Sequence, residues 1–141
     1  MYLNYKTLFK LGIFPTLVYL VNDIIQSLAP ETYLLYSLDT FAHFLGGLSI
    51  AYTSHYTLSL LEERNQIIVK NYFLRSGIII ASVATVAVLW EFYEFIYDYF
   101  LHPIYIMQPS VADTMKDLYM GMFGAIFFCI LVRYGAFKKT R

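Results

Sequence analysis

The stretch "VAVLWEFYEFIYDYF", residues 86–100, decides how the rest of the chain is read. It sets Glu91, Glu94 and Asp98 one helical turn apart in a segment otherwise made of aromatic and aliphatic residues. An Asp at the centre of a membrane helix costs roughly 2.5–3.5 kcal/mol on insertion scales. Three carboxylates in such a segment therefore need partners, and the segment is read first as a span and then as part of a site.

Hydrophobic residues make up 59% of the 141-residue chain and charged residues only 14%. Soluble domains carry about 45–50% and about 25%, so this composition belongs in a bilayer, in one domain. Crossing a hydrocarbon core of about 30 Å takes about 20 apolar residues. Four such runs are read near 8–28, 37–61, 73–101 and 112–134, joined by connections at 29–36, 62–72 and 102–111. The expected fold is all-α and integral to the membrane, a four-helix transmembrane bundle. Pro30, Pro103 and Pro109 fall in connections, and Pro15 is expected to bend the first span. Lys6 and Lys10 before an apolar run, with "SLA" at 27–29, loosely suggest a signal peptide, but Asn22, Asp23 and Gln26 interrupt the run, which is read as a retained span. Ten basic residues balance ten acidic ones, which makes no case for nucleic acid. The lone Cys129, within an apolar run, excludes an intrachain disulfide and reads as a small core residue.

Basic residues set the orientation. Lys6, Lys10, Arg64, Lys70, Arg75, Arg133, Lys138, Lys139 and Arg141 all fall on one side of a four-span arrangement, and Lys116 is the exception. Both termini are therefore expected to be cytoplasmic. Tyr33, Tyr36, Tyr99 and Tyr105 would form the outer aromatic belt, and Tyr2, Tyr5, Tyr72 and Tyr134 the inner one.

On that topology, spans running in opposite directions place their acids at one depth, toward the outer side. Helical phase agrees: Asp39, His43, Gly46 and Gly47 share a face of span two, Ala84, Ala87, Glu91, Glu94 and Asp98 of span three, and Asp113, Asp117, Gly121, Gly124 and Phe128 of span four. The small residues would permit close helix approach, and the acids would meet inside the bundle. So many carboxylates in low dielectric require a metal cation, retained protons, or balance from Lys116, His43 and water. Paired ligands one turn apart on facing helices are a carboxylate-metal device. The donor set suits a divalent ion, Mg²⁺, Mn²⁺ or Ca²⁺, with Zn²⁺ open through His43. Asp39, His43, Glu94, Asp113 and Asp117 would bind it, and Glu91 would act as general base on a water it holds.

Simpler roles stand beside these. Glu91 and Glu94 could lock the bundle as protonated acids, Asp39 with His43 could be a pair capping span two, and Asp113 could be a helix N-terminal acid. Asp23, Asp98 and Lys116 are left open as members of the site. His55 reads as a packing residue and His102 as a loop residue.

The order Asp39-x-x-x-His43, Glu91-x-x-Glu94 and Asp113-x-x-x-Asp117 resembles the VanZ-like and YjdF-like families of small polytopic bacterial and archaeal membrane proteins. It covers spans two to four. VanZ-like proteins more often carry glutamine at the position of Glu94 and asparagine after the last aspartate, so the YjdF-like branch fits better. The resemblance implies a polar intramembrane site in a prokaryotic plasma membrane, with a hint of envelope or lipid-carrier chemistry, but no settled reaction. The expected function is a metal-dependent enzyme acting on a membrane lipid or lipid-linked envelope substrate. The alternatives are a cation- or proton-binding transport protein, which at four spans would need to form a homo-oligomer, and a non-catalytic subunit of a larger membrane complex.

Overall fold

Long apolar runs separated by helix breakers can satisfy their backbone in a hydrocarbon setting only as helices, and helices are what they form. The computed structural model describes residues 5–101 and 106–135. Among the described residues there are four long helices: α1 (Tyr5–Leu28), α3 (Leu38–Glu63), α4 (Tyr72–Leu101) and α5 (Val111–Arg133). Their bounds lie within two or three residues of the apolar runs. Residues 29–36 are not a plain connection. Pro30, at the first position where its missing N–H is harmless, starts the six-residue α2 (Pro30–Leu35). Pro15 lies inside α1. Expectations on Tyr2, His102, Pro103, Tyr105, Lys138, Lys139 and Arg141 fall outside the described residues.

The helices are inside-out relative to a soluble protein. Leu8, Phe9 and Ile24 on α1, Phe92, Phe95 and Phe100 on α4, and Tyr119, Phe123 and Ile130 on α5 are exposed, while Glu91, Glu94, Asp117 and Ser49 are buried. Among the described residues three helices, α1, α4 and α5, are long and apolar enough to cross a membrane. The 26-residue α3 is long enough but less apolar, with Ser and Thr along its length. Several of those hydroxyls are satisfied: Ser49 donates to the Gly46 carbonyl at 2.7 Å, Thr57 to Thr53 at 2.9 Å, and Thr53 crosses to Leu11 on α1 at 2.9 Å, whereas Thr40 Oγ1 is buried without a partner.

The sequence order of directions makes α3 and α5 parallel, and they form the most extensive helix contact. Gly47 and Gly124 explain it. A Cβ on Gly47 would collide with the backbone of Gly121, and one on Gly124 with the carbonyl of Phe44, so both are glycines because backbones meet there. Gly46 was expected on the same contact and is not: a Cβ there would meet nothing within 4 Å. Below this crossing Ala51, Leu58, Ile79, Val83, Ala125, Phe128 and Cys129 form an apolar core. At the far end Arg75 ties α4 to α3 through Glu62 (2.7 Å) and Ser59 (2.8 Å). Tyr72 ties α4 to α5 by donating to the Cys129 carbonyl at 2.9 Å.

Candidate metal and acid site

The end opposite Arg75 is where α1 and α4 finish and α3 and α5 begin, so four helix ends deliver their polar residues to one layer. His43 is its centre. Its Nε2 lies 3.6 Å from Asp39 Oδ1, one turn earlier on α3, and 3.9 Å from Asp117 Oδ2 on α5. Asp39, His43 and Asp117 offer ligand atoms all within 4.8 Å of one another, and so do His43, Glu91 and Glu94. One imidazole thus belongs to two potential ligand groups, with α4 supplying the second pair of carboxylates at i, i+3.

Each acid has a distinct environment. Glu94 accepts from Trp90 Nε1 at 2.7 Å, one turn back on α4. Glu91 accepts from Gln108 Nε2 at 3.0 Å through Oε2. Its Oε1, and Asp117 Oδ1, are buried without a hydrogen-bond partner. Asp117 Oδ1 has only the longer approach of Lys116 Nζ at 3.7 Å. A buried carboxylate oxygen with no donor costs about 1–3 kcal/mol, more when ionised, so both atoms call for a proton, a water or a cation. Among the described residues five carboxylates face one lysine and one histidine, which leaves the layer anionic unless something compensates.

Asp113 stands apart from both ligand groups. It sits in the first turn of α5, where Ser110 caps its backbone N–H at 3.1 Å, and its carboxylate is taken by Lys116 at 2.6 Å. Lys116 itself lines the cavity beside the site. Asp98 does not reach the cluster: its two oxygens accept the backbone N–H groups of Met107 (3.0 Å) and Gln108 (2.8 Å). It therefore positions Gln108 against Glu91. Asp23 is exposed, whereas Asn22 and Gln26 on the same helix line the cavity. His55 packs edge-on against Phe128, with ring centroids 5.7 Å apart, far from the site.

Tyr33 overturns its expected place in the outer aromatic belt. It is only 4% exposed, folded inward by α2, and its hydroxyl lies 2.8 Å from Asn22 Oδ1 and 3.0 Å from Asp39 Oδ1. Burial, and then the neighbouring Asp39 carboxylate, push the phenol above its ordinary range, so it remains a donor. Trp90 and Gln108 were likewise not singled out from sequence. Trp90, one turn before Glu94 and the chain's only tryptophan, carried a signal that spacing alone could have found.

A cavity of about 830 Å³ joins Tyr33, Asp39, His43, Glu94 and Lys116 to apolar walls on α1, α3 and α4. That is within the roughly 300–1,000 Å³ of small-molecule sites, which pair apolar linings with a few convergent polar groups. No curated protein and no solved structure matches the chain. Residues 16–137 match the family described as predicted membrane protein (DUF2238). That stretch takes in about half of α1 and all of α2 to α5, so the chain belongs to this family of membrane proteins.

Proposed function

We propose that this protein is a four-span membrane enzyme that uses a divalent cation to act on a lipid or lipid-linked substrate of the outer leaflet. Support for α3 as the fourth span comes from its position: it packs against α1, α4 and α5, so little of it need face lipid. The basic residues Lys6, Lys10, Arg64, Lys70, Arg75 and Arg133 at the end away from the acids support cytoplasmic termini in a prokaryotic plasma membrane. The order of the acidic motifs supports kinship with VanZ-like and YjdF-like proteins.

The observation that carries the reading is that Asp117 and Glu91, each grouped with His43 as a potential ligand, keep a buried oxygen without a hydrogen-bond partner, Oδ1 and Oε1, beside a cavity lined by Asp39, His43 and Glu94. Asp39, His43 and Asp117 would hold the cation, with Glu94 as a further ligand. The imidazole at the centre favours Zn²⁺ or Mn²⁺ over Ca²⁺ or Mg²⁺, which prefer all-oxygen sets. Such an ion supplies Lewis-acid polarisation of an ester or phosphoryl oxygen. Glu91, oriented by Gln108 through one oxygen, has the other free to take a proton. Tyr33 and Trp90 orient Asp39 and Glu94, the partner groups on which ligand affinity ordinarily depends. Lys116 stands at the rim, where it would meet an anionic head group.

A transport path would need polar groups through the bundle, and the buried layer of Ala51, Leu58, Val83 and Phe128 supports the enzyme reading instead. The test is elemental analysis of detergent-purified protein prepared without chelator, beside Glu94→Gln and Asp117→Asn. A stoichiometric ion in the wild type, diminished in both variants, is expected. No ion in any sample after loading with Zn²⁺, Mn²⁺ or Mg²⁺ would sink the metal-dependent reading.

A further inference from the structure

The cavity changes character along its length. Its polar end presents Asp39 and Glu94, and its deep end presents Ile50 and Val83. From Asp39 to Ile50, and from Glu94 back to Val83, is eleven residues of helix in each case. At 1.5 Å per residue this is about 16 Å, close to one leaflet of a hydrocarbon core about 30 Å thick. Gly46 lies between the two ends, and the space a side chain would occupy there is open cavity. Its neighbour Gly47 is needed for helix contact, but Gly46 is not.

The cavity also has a side. Helices α1 and α4 both line it, yet they do not pack on each other: α1 rests on α3 and α2, and no α1 residue is buried. What bridges the gap is Tyr19 against Trp90, edge to face with centroids 5.8 Å apart. The sequence neighbours of that pair, Leu20 on α1 and Leu89 on α4, are exposed and apolar. On the reading above, they face hydrocarbon. Trp90 also holds Glu94, so the residue that closes the gap is bonded to the site.

We infer that the gap between α1 and α4 is a lateral entrance, closed by Tyr19 and Trp90, through which one hydrocarbon chain of a membrane lipid enters the cavity. The chain lies past Gly46 toward Ile50 and Val83, and its head group sits at the Asp39–His43–Lys116 end. Three features select a lipid chain over a peptide or a second copy of the protein: the polar-to-apolar gradient, the one-leaflet depth, and an opening that faces the acyl region. This inference deepens the lipid-acting reading and rests on it, but it does not require the cation.

The test places the protein in phosphatidylethanolamine–phosphatidylglycerol vesicles containing a phosphatidylglycerol with a diazirine midway along one acyl chain. After irradiation, adducts are mapped by peptide mass spectrometry. Adducts are expected at the inward Ile50 and Val83 as well as the outward Leu89 and Phe92. Gly46→Phe, and independently Leu20→Cys with Leu89→Cys bridged by a bismaleimide, should reduce the inward adducts at least five-fold while Phe92 stays labelled. Phe92 labelling at the wild-type level reports an intact outer surface, and Ile50→Trp, read at Val83, replaces Gly46→Phe if that variant misfolds. Outward adducts alone in the wild type would overturn the inference, as would inward adducts that persist when the cavity is filled. Inward adducts without any bound ion would leave the lipid entrance standing and remove the metal-dependent reading. A bound ion without inward adducts would do the reverse.

Discussion

Gly46 and Gly47 offer the same perturbation twice, one residue apart, with opposite expected results. In Gly47→Ala the new methyl would sit 2.6 Å from the carbonyl carbon of Gly121, where carbon atoms rest at about 3.5–4.0 Å. The obstacle is backbone of α5, whose carbonyl oxygen at Gly121 lies closer still, not a movable side chain, so α3 and α5 must separate by at least about 1 Å along their most extensive contact. Overpacking of this kind costs typically about 1–3 kcal/mol. In Gly46→Ala nothing lies within 4 Å of the methyl, and replacing glycine by alanine in a helix interior contributes roughly 0.5–1 kcal/mol of stability. Both variants gain that same propensity, so their difference isolates the clash. Gly47→Ala should be less stable than Gly46→Ala by about 1–3 kcal/mol, a factor of roughly 5–150 in the unfolding equilibrium. Unfolding by SDS titration in mixed micelles, followed by the fluorescence of Trp90, measures it. Equal stabilities for the two variants, or Gly46→Ala as the weaker one, would refute the assignment of Gly47 to the helix contact and Gly46 to the cavity.

Other outcomes follow from particular contacts. Tyr33→Phe removes a donor from Asp39 and should weaken divalent-ion binding about 10-fold or more, read by isothermal titration; unchanged affinity would remove Asp39 from the ligand set. Asp98→Ala frees two backbone N–H groups and should cost about 1–3 kcal/mol. It should also speed amide exchange at Met107 and Gln108, and protection equal to wild type would contradict the positioning role. For topology, an impermeant maleimide on intact cells should label Glu31→Cys at once and Lys70→Cys only after permeabilisation; the reverse pattern would invert the orientation.

The helices were legible because their evidence is local. Long apolar runs bounded by proline and polar residues can be counted along the chain, and the ends of α1, α3, α4 and α5 fall close to where those runs end. The convergence of Asp39, His43, Glu91, Glu94 and Asp117 at one end of the helices was legible too, because successive antiparallel helices convert position in sequence into height along the bundle. Tyr33 was not, since "APETYLLY" reads as a connection and only the docking of α2 over Asn22 and Asp39 buries its ring. Asp98 shared the phase of Glu91 and Glu94, but phase does not reveal that residues 107 and 108 fold back to occupy its oxygens.

What the sequence by itself determined is the set of helices, their apolar surfaces and the layer that holds the carboxylates, because periodicity and transfer cost act residue by residue. Only the tertiary structure decided which glycine touches a neighbour and which borders empty space. It also decided that Asp113 pairs with Lys116 outside both ligand groups, while Asp117 turns one oxygen toward His43 and keeps the other buried without a hydrogen bond. The separation of α1 from α4, bridged by Tyr19 and Trp90, has the same origin. Each of these depends on how far apart the helices stand and how they are rotated about their axes, quantities set by side chains distant in sequence and meeting only in the folded bundle.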